Sequence, residues 1–322
     1  MAFTSTTSDI IVANMLNTRI LPTIAALGLF LLQGHITGQS AVTGAIGSKV
    51  SVAFFANDGH DRPVSGVTQA DVAVLDNKKV PQSIVGIRGR TDLPLRLGLL
   101  IDTSNSERSS SVYQAAVQAA SDFLNQSLNG KDDKAFVESF DILPNATQFM
   151  TKHELSAFKI DLTPSGATAL YDALRLACDD RMKNDPVEDS LRVIVVLSDG
   201  DDNQSRTSRS EAIASAQRAG VVIFAVSTGY SPSRQTARGD GILKALASET
   251  GGLAFLTLSH KEVPKVFATI RDQIDNMQLL SYVPADPGPA GQYHSLELKP
   301  ASTTKLRLRA PKGYYGSLKP SS

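Results

Sequence analysis

The chain has 322 residues, with 32 Lys plus Arg against 32 Asp plus Glu, 42% hydrophobic residues and 20% charged ones. That composition excludes a disordered or collagen-like chain. A neutral total without clustered cations excludes a general polyanion binder, so no nucleic-acid partner is expected. One cysteine excludes an internal disulfide framework, a zinc ribbon and a Cys-x-x-Cys redox site. Length predicts two domains, with room for an appendage.

The first 40 residues hold only two charges, Asp9 and Arg19. Residues 20–32 form a largely apolar run, too short to span a bilayer comfortably, followed by the small polar stretch Gly38-Gln39-Ser40. This pattern predicts an export signal over 1–40, cleaved after Ser40 or Ala41, starting at Met1 or Met15. An uncleaved anchor or buried helix is the rival reading. Beyond it no stretch is long enough to cross a membrane and no Leu-x-Gly-Cys box occurs, so no transmembrane anchor is expected after signal removal.

Residues 42–93 read as a β segment, with strands at 50–56, 71–75 and 83–87. Residues 94–280 alternate strand and helix. Strand runs lie at 95–101, 135–140, 147–150, 193–197, 221–226 and 253–256; helical periodicity covers 112–128, 169–182, 208–219, 241–250 and 263–279. The rhythm predicts an α/β fold with a doubly wound, mainly parallel sheet covered by helices on both faces. Residues 281–322 return to β, with alternating runs at 293–299 and 304–309. Neither β piece buries enough surface alone, so 281–322 is predicted to pack with 42–93 as a small β-sandwich-like domain.

In an open α/β sheet, ligands bind beyond the carboxyl ends of the strands. Three oxygen-rich turns fall there: Asp102-Thr103-Ser104-Asn105-Ser106, Gly166-Ala167-Thr168-Ala169-Leu170 and Ser198-Asp199-Gly200. Carboxylates and hydroxyls together suit a hard cation such as Mg²⁺, Ca²⁺ or Mn²⁺. Each residue alone has an ordinary explanation as a cap or turn residue.

These turns resemble the von Willebrand factor type A domain, whose metal-ion-dependent adhesion site has the pattern Asp-x-Ser-x-Ser, a separate Thr and a separate Asp. Asp102, Ser104, Ser106, Thr168 and Asp199 fill its five positions. The order of signal, short β segment, A domain and Lys-Gly-Tyr-Tyr tail is similar to exported A-domain proteins of the acidobacterial type. The resemblance implies a Rossmann-like fold and a divalent cation, Mg²⁺ before Mn²⁺ or Ca²⁺. It also implies a non-enzymatic adhesion or interaction module, in the periplasm, cell envelope or secreted. Asp102, Ser104 and Ser106 would hold the ion, Thr168 would join directly or through water, and Asp199 would act mainly through water. An Asp or Glu of a protein partner would fill the open coordination position. The family's usual switch moves the threonine loop with the last helix, 263–279.

Two other readings use the same residues: a metal-dependent hydrolase with Asp102 as nucleophile, and a structural envelope protein whose metal site is unused. Glu107 follows Ser106 where the family commonly has an apolar residue; it is expected to be a solvated first-turn Glu, with crowding or a shift toward Ca²⁺ as the alternative. Asp201 and Asp202 are expected to be solvated loop residues. Arg238-Gly239-Asp240 spells an adhesion tripeptide but reads as a turn and helix cap. Cys178 reads as a buried thiol. Residues 292–322 carry six Lys or Arg and one Glu, which suits protected edge strands. The five His have no zinc-hydrolase spacing.

Overall fold

The most apolar runs of the chain become the middle of a six-stranded sheet. The computed structural model describes residues 49–109, 111–159, 166–229, 234–256, 259–301 and 305–316; the predicted export signal lies outside them. The chain begins with β1 (Val50–Asn57), β2 (Val72–Asp76) and β3 (Ser83–Gly89). The α/β part contains β4 (Leu95–Asp102), α1 (Ser111–Ser127), β5 (Lys134–Phe140), β6 (Pro144–Ala146), α2 (Lys152–Ala157) and α3 (Leu170–Leu176). It continues through a π-helical turn (Ala177–Met182), β7 (Leu191–Ser198), α4 (Arg209–Arg218), β8 (Val221–Ser227), α5 (Arg234–Glu249), β9 (Ala254–Phe255) and α6 (Val263–Asp275). Four strands follow: β10 (Gln278–Val283), β11 (Tyr293–Pro300), β12 (Arg307–Arg309) and β13 (Gly313–Tyr315).

The central sheet runs β6-β5-β4-β7-β8-β9, parallel throughout except for β6. Every residue of β4 and β8 is buried, because both faces of the sheet are covered. Helices α1, α2 and α6 close one face, where the Phe123 and Phe267 rings meet at 5.2 Å, and α3, α4 and α5 close the other. This is the expected doubly wound arrangement. Helix α4 starts at a reciprocal cap, the Ser208 hydroxyl accepting from the Glu211 amide and the Glu211 carboxylate from the Ser208 amide.

The other strands build two antiparallel sheets, β12-β1-β10-β3 and β13-β11-β2, around a separate apolar cluster. Buried Asp76 ties them together: its carboxylate accepts from Tyr282 Oη at 3.0 Å and Tyr314 Oη at 2.5 Å, and lies 2.8 Å from His294 Nδ1. Cations of the basic strip are spent on ion pairs, Lys299 with Glu297, Arg307 with Asp61 and Lys312 with Glu249.

Several elements differ from expectation. The strand after β5 is β6, and of 147–150 only Met150 makes a bridge, to Ala135. Helix α2 was not foreseen, although Thr151 and Glu154 form a capping box at its start. The last helix ends at Asp275 instead of 279, since Gln278–Val283 pairs with β1 and β3. The tail Gly313–Tyr315 is itself a strand, β13, paired with β11. Cys178 is buried as expected, which pushes its thiol well above the usual range.

One core group works against stability. Glu138 on β5 is fully buried, and neither carboxylate oxygen has a hydrogen-bond partner among the described residues. Burial pushes its pKa well above the usual carboxylate range, with nearby Arg181 opposing the shift. A carboxyl raised in the folded state leaves stability intact below the ordinary carboxylate range, and stability falls as pH climbs toward the folded value. Glu138→Met should therefore stabilise the chain by about 1–3 kcal/mol at pH 8. Urea titrations should show a smaller gain at pH 5; an equal gain at both pH values would contradict this.

Candidate metal centre

Three loops at the carboxyl ends of neighbouring strands supply the candidate groups. Asp102 ends β4 and is fully buried; its Oδ1 accepts from the Ser104 amide at 2.9 Å and its Oδ2 from the Ser198 hydroxyl at 2.6 Å. This local turn places the Ser104 and Ser106 hydroxyls 2.9 Å apart. Ser104 is buried and Ser106 exposed, so the pair spans the site from floor to solvent. Asp199 follows β7, half-buried, and its Oδ1 accepts from the Asp201 amide at 3.0 Å.

Thr168 is buried in the third loop. Its amide donates to Asn203 Oδ1 at 3.0 Å, and its carbonyl accepts from the Asn203 and Gln204 amides at 3.1 Å each. The Asn105 amide donates to Gly166 O at 3.4 Å. The threonine loop is thus fastened to both aspartate turns.

The aspartate turn rests on α5 at backbone distance. Gly200 has φ +78°, where a side chain is strained, and a Cβ there would meet the Gly239 carbonyl at 2.3 Å. A Cβ on Gly239 would lie 2.0 Å from the Asp199 carbonyl. Arg238-Gly239-Asp240 is therefore not a turn and cap. It lies within α5, its glycine seats the Asp199 turn, and its Asp240 Oδ1 accepts from the Ser227 hydroxyl at 2.7 Å.

No protein-family model matches the chain, and no curated protein matches it. Among solved structures it is similar to a von Willebrand factor type A protein from Catenulispora acidiphila, at 11% identity and TM-score 0.45, over 85% of this chain and 74% of that one. It is also similar to proximal thread matrix protein 1 from the mussel byssus, described with a zinc-occupied MIDAS motif, at 18% identity and TM-score 0.47, over 60% of this chain and 48% of that one. A third is an aerotolerance-related membrane protein from Bacteroides fragilis, at 18% identity and TM-score 0.42, over 56% of this chain and 98% of that one. The sheet order, the helices on both faces and the three converging loops decide the fold. The central domain is a doubly wound, Rossmann-like α/β fold.

Its site contains one more acid than the adhesion-site pattern. Glu107 is 1% exposed, and one oxygen each from Asp102, Glu107 and Asp199 lies within 4.8 Å of the others. The expected solvated Glu107 is corrected here: it sits in the 3₁₀ turn Asn105–Ser109, and its carboxylate turns inward. Its Oε1 accepts from the Thr228 hydroxyl at 2.6 Å and from the Asp199 amide at 3.1 Å. Asp202 is not a free loop residue either. It accepts from the Tyr171 amide at 3.0 Å at the start of α3, and from the Ser205 hydroxyl at 2.7 Å.

Burial, joined by the charges of Asp102 and Asp199, pushes the Glu107 carboxyl up to about 9. Burial, and then the charge of Asp199, pushes Asp102 up to about 7 against the hydrogen bonds from Ser198 and Ser104. An all-oxygen donor set with close, desolvated carboxylates fits a divalent cation. Ser198, Thr228, Asn203 and Gly239 also build the centre. Ser198 and Thr228 stand at strand ends, the one signal by which the sequence points to them.

Proposed function

We propose that the chain is an exported, non-enzymatic protein-binding module whose A-type domain holds a divalent cation and engages an acidic residue of a partner. The carrying observation is the convergence of three oxygen-rich loops on buried carboxylates that repel one another. Asp102, Ser104 and Ser106 would bind the ion, Thr168 would join directly or through water, and Asp199 mainly through water. Mg²⁺ suits the role, since it keeps several waters and prefers hard oxygen donors; Mn²⁺ and Ca²⁺ share those donors. Bound there, the cation supplies an electrophilic point for a carboxylate. Glu107 serves behind this set, bracing Thr228 and the Asp199 amide.

Export rests on the sequence of residues 1–40. Among the described residues no helix is long and apolar enough to cross a membrane. The test is retention of envelope-extract proteins on the immobilised chain in Mg²⁺. Retained protein should be released by EDTA, and by free glutarate in excess, and should be missing from an Asp102→Asn column. Retention indifferent to EDTA and to Asp102 would overturn the reading.

A further inference from the structure

A groove of about 970 Å³ runs between α4 and α5. Ile213, Ile242 and Ala245 are among the residues that give it an apolar floor. Arg209 and Arg238 stand at one end, and Tyr293 and Tyr315, their rings 5.3 Å apart, at the other. We propose that this groove takes an acidic peptide segment of the partner, with aliphatic side chains on the floor and a carboxylate on Arg209 and Arg238.

Charge selects the occupant. Neither Arg209 nor Arg238 takes part in an ion pair among the described residues, and both are exposed. Glu249, the other charged residue of the lining, is paired with Lys312, and Asp202, which with Asp201 sets a negative charge beside Tyr171 on the wall, is held by the Tyr171 amide and the Ser205 hydroxyl. A ligand therefore meets unpaired positive charge at one end only, which orients it. Guanidinium groups favour carboxylates because they can bind them bidentately. The floor of small and aliphatic side chains, half-buried or buried, suits side chains of a peptide.

Position joins the groove to the candidate metal centre. Arg238 precedes Gly239, whose backbone carries the Asp199 turn. Tyr171, on the groove wall, lies three residues after Thr168, and its amide is capped by Asp202 of the aspartate loop. The arginine end is thus the end nearest the cation, and a segment with one carboxylate at the ion would run past the arginines onto the floor. This continuity rests on the metal-dependent reading above; the charge and shape of the groove do not. Arg238 and Ala245 are separated by about 10 Å of helix, which an extended peptide covers in about three residues.

The test is selection from a random-peptide display library on the full chain in Mg²⁺. Selected peptides should carry acidic residues followed, about three positions on, by an aliphatic one. Arg209→Glu combined with Arg238→Glu, both exposed, should keep the melting temperature. That variant should lose at least tenfold in affinity for the selected peptides and should select Lys or Arg at one of the acidic positions. Loss of all selection in Asp102→Asn, with this switch in the double variant, supports both readings. Selection retained in Asp102→Asn, with the switch still present, supports the groove and overturns the metal reading. Unchanged peptides and affinity in the double variant overturn the groove, whatever Asp102→Asn does. Peptides without acidic residues, or no selection, also overturn it.

Discussion

Asp102→Asn should abolish the metal response of the chain and leave the metal-free protein at least as stable as wild type. The buried carboxylate faces Glu107 and Asp199 across less than 4.8 Å, so removing its charge relieves repulsion in the metal-free state. An amide can keep both local bonds: its oxygen accepts from the Ser104 amide, and its nitrogen can donate to the Ser198 hydroxyl, whose proton is free to rotate. At a metal concentration 100-fold above Kd, the wild type should gain about 2.7 kcal/mol and the variant nothing. Urea titrations with and without Mg²⁺ read both quantities. A variant that loses stability in EDTA but still responds to metal would assign Asp102 a purely structural role.

Gly239→Ala carries the second large effect, with a sign opposite to the usual rule. Glycine to alanine inside a helix ordinarily stabilises by about 0.5–1 kcal/mol. Here the added methyl would lie 2.0 Å from the Asp199 carbonyl, and backbone faces backbone, so no rotamer relieves it. Overpacking of this kind costs about 1–3 kcal/mol, and the aspartate turn is the segment that must move. The variant should melt several degrees lower and lose most of its metal-induced shift. Gly241→Ala two residues along α5, where a Cβ meets nothing within 4 Å, should show neither loss. Equal behaviour of the two variants would refute the seating of the site on α5.

Much of this arrangement is legible in the residues themselves. Val193 to Leu197 and Leu95 to Ile101 read as strands of a parallel sheet because such near-continuous apolar runs need both faces covered. The residues that end them are polar because they open the loops at the carboxyl edge of the sheet, where ligands bind. Asp102, Ser104, Ser106, Thr168 and Asp199 were visible for that reason. The direction of Glu107 was not, because a first helical turn would expose it whereas the 3₁₀ turn Asn105–Ser109 buries it. Arg238-Gly239-Asp240 reads as a turn and cap before a helix at 241–250, although close packing under Asp199 explains Gly239 within α5. Strand β10 was hidden by the apolar run of α6, since Met277 and Leu279 continue a helical pattern until pairing with β1 and β3 overrides it. The groove between α4 and α5 depends on the tyrosines of β11 and β13, far away in sequence, and no local pattern shows it.

The most direct measurement is thermal unfolding of the purified chain in EDTA and in rising concentrations of Mg²⁺ or Mn²⁺. A ligand that binds only the folded state raises the melting temperature without limit as its concentration grows, by RT ln(1 + [L]/Kd). For a chain of this size each kcal/mol corresponds to about 1.5–2 °C. The melting temperature should rise by several degrees by millimolar metal, an effect reversed by EDTA and absent from Asp102→Asn. A melting temperature unchanged at millimolar metal, or raised equally in wild type and Asp102→Asn, would contradict a cation held at these three loops.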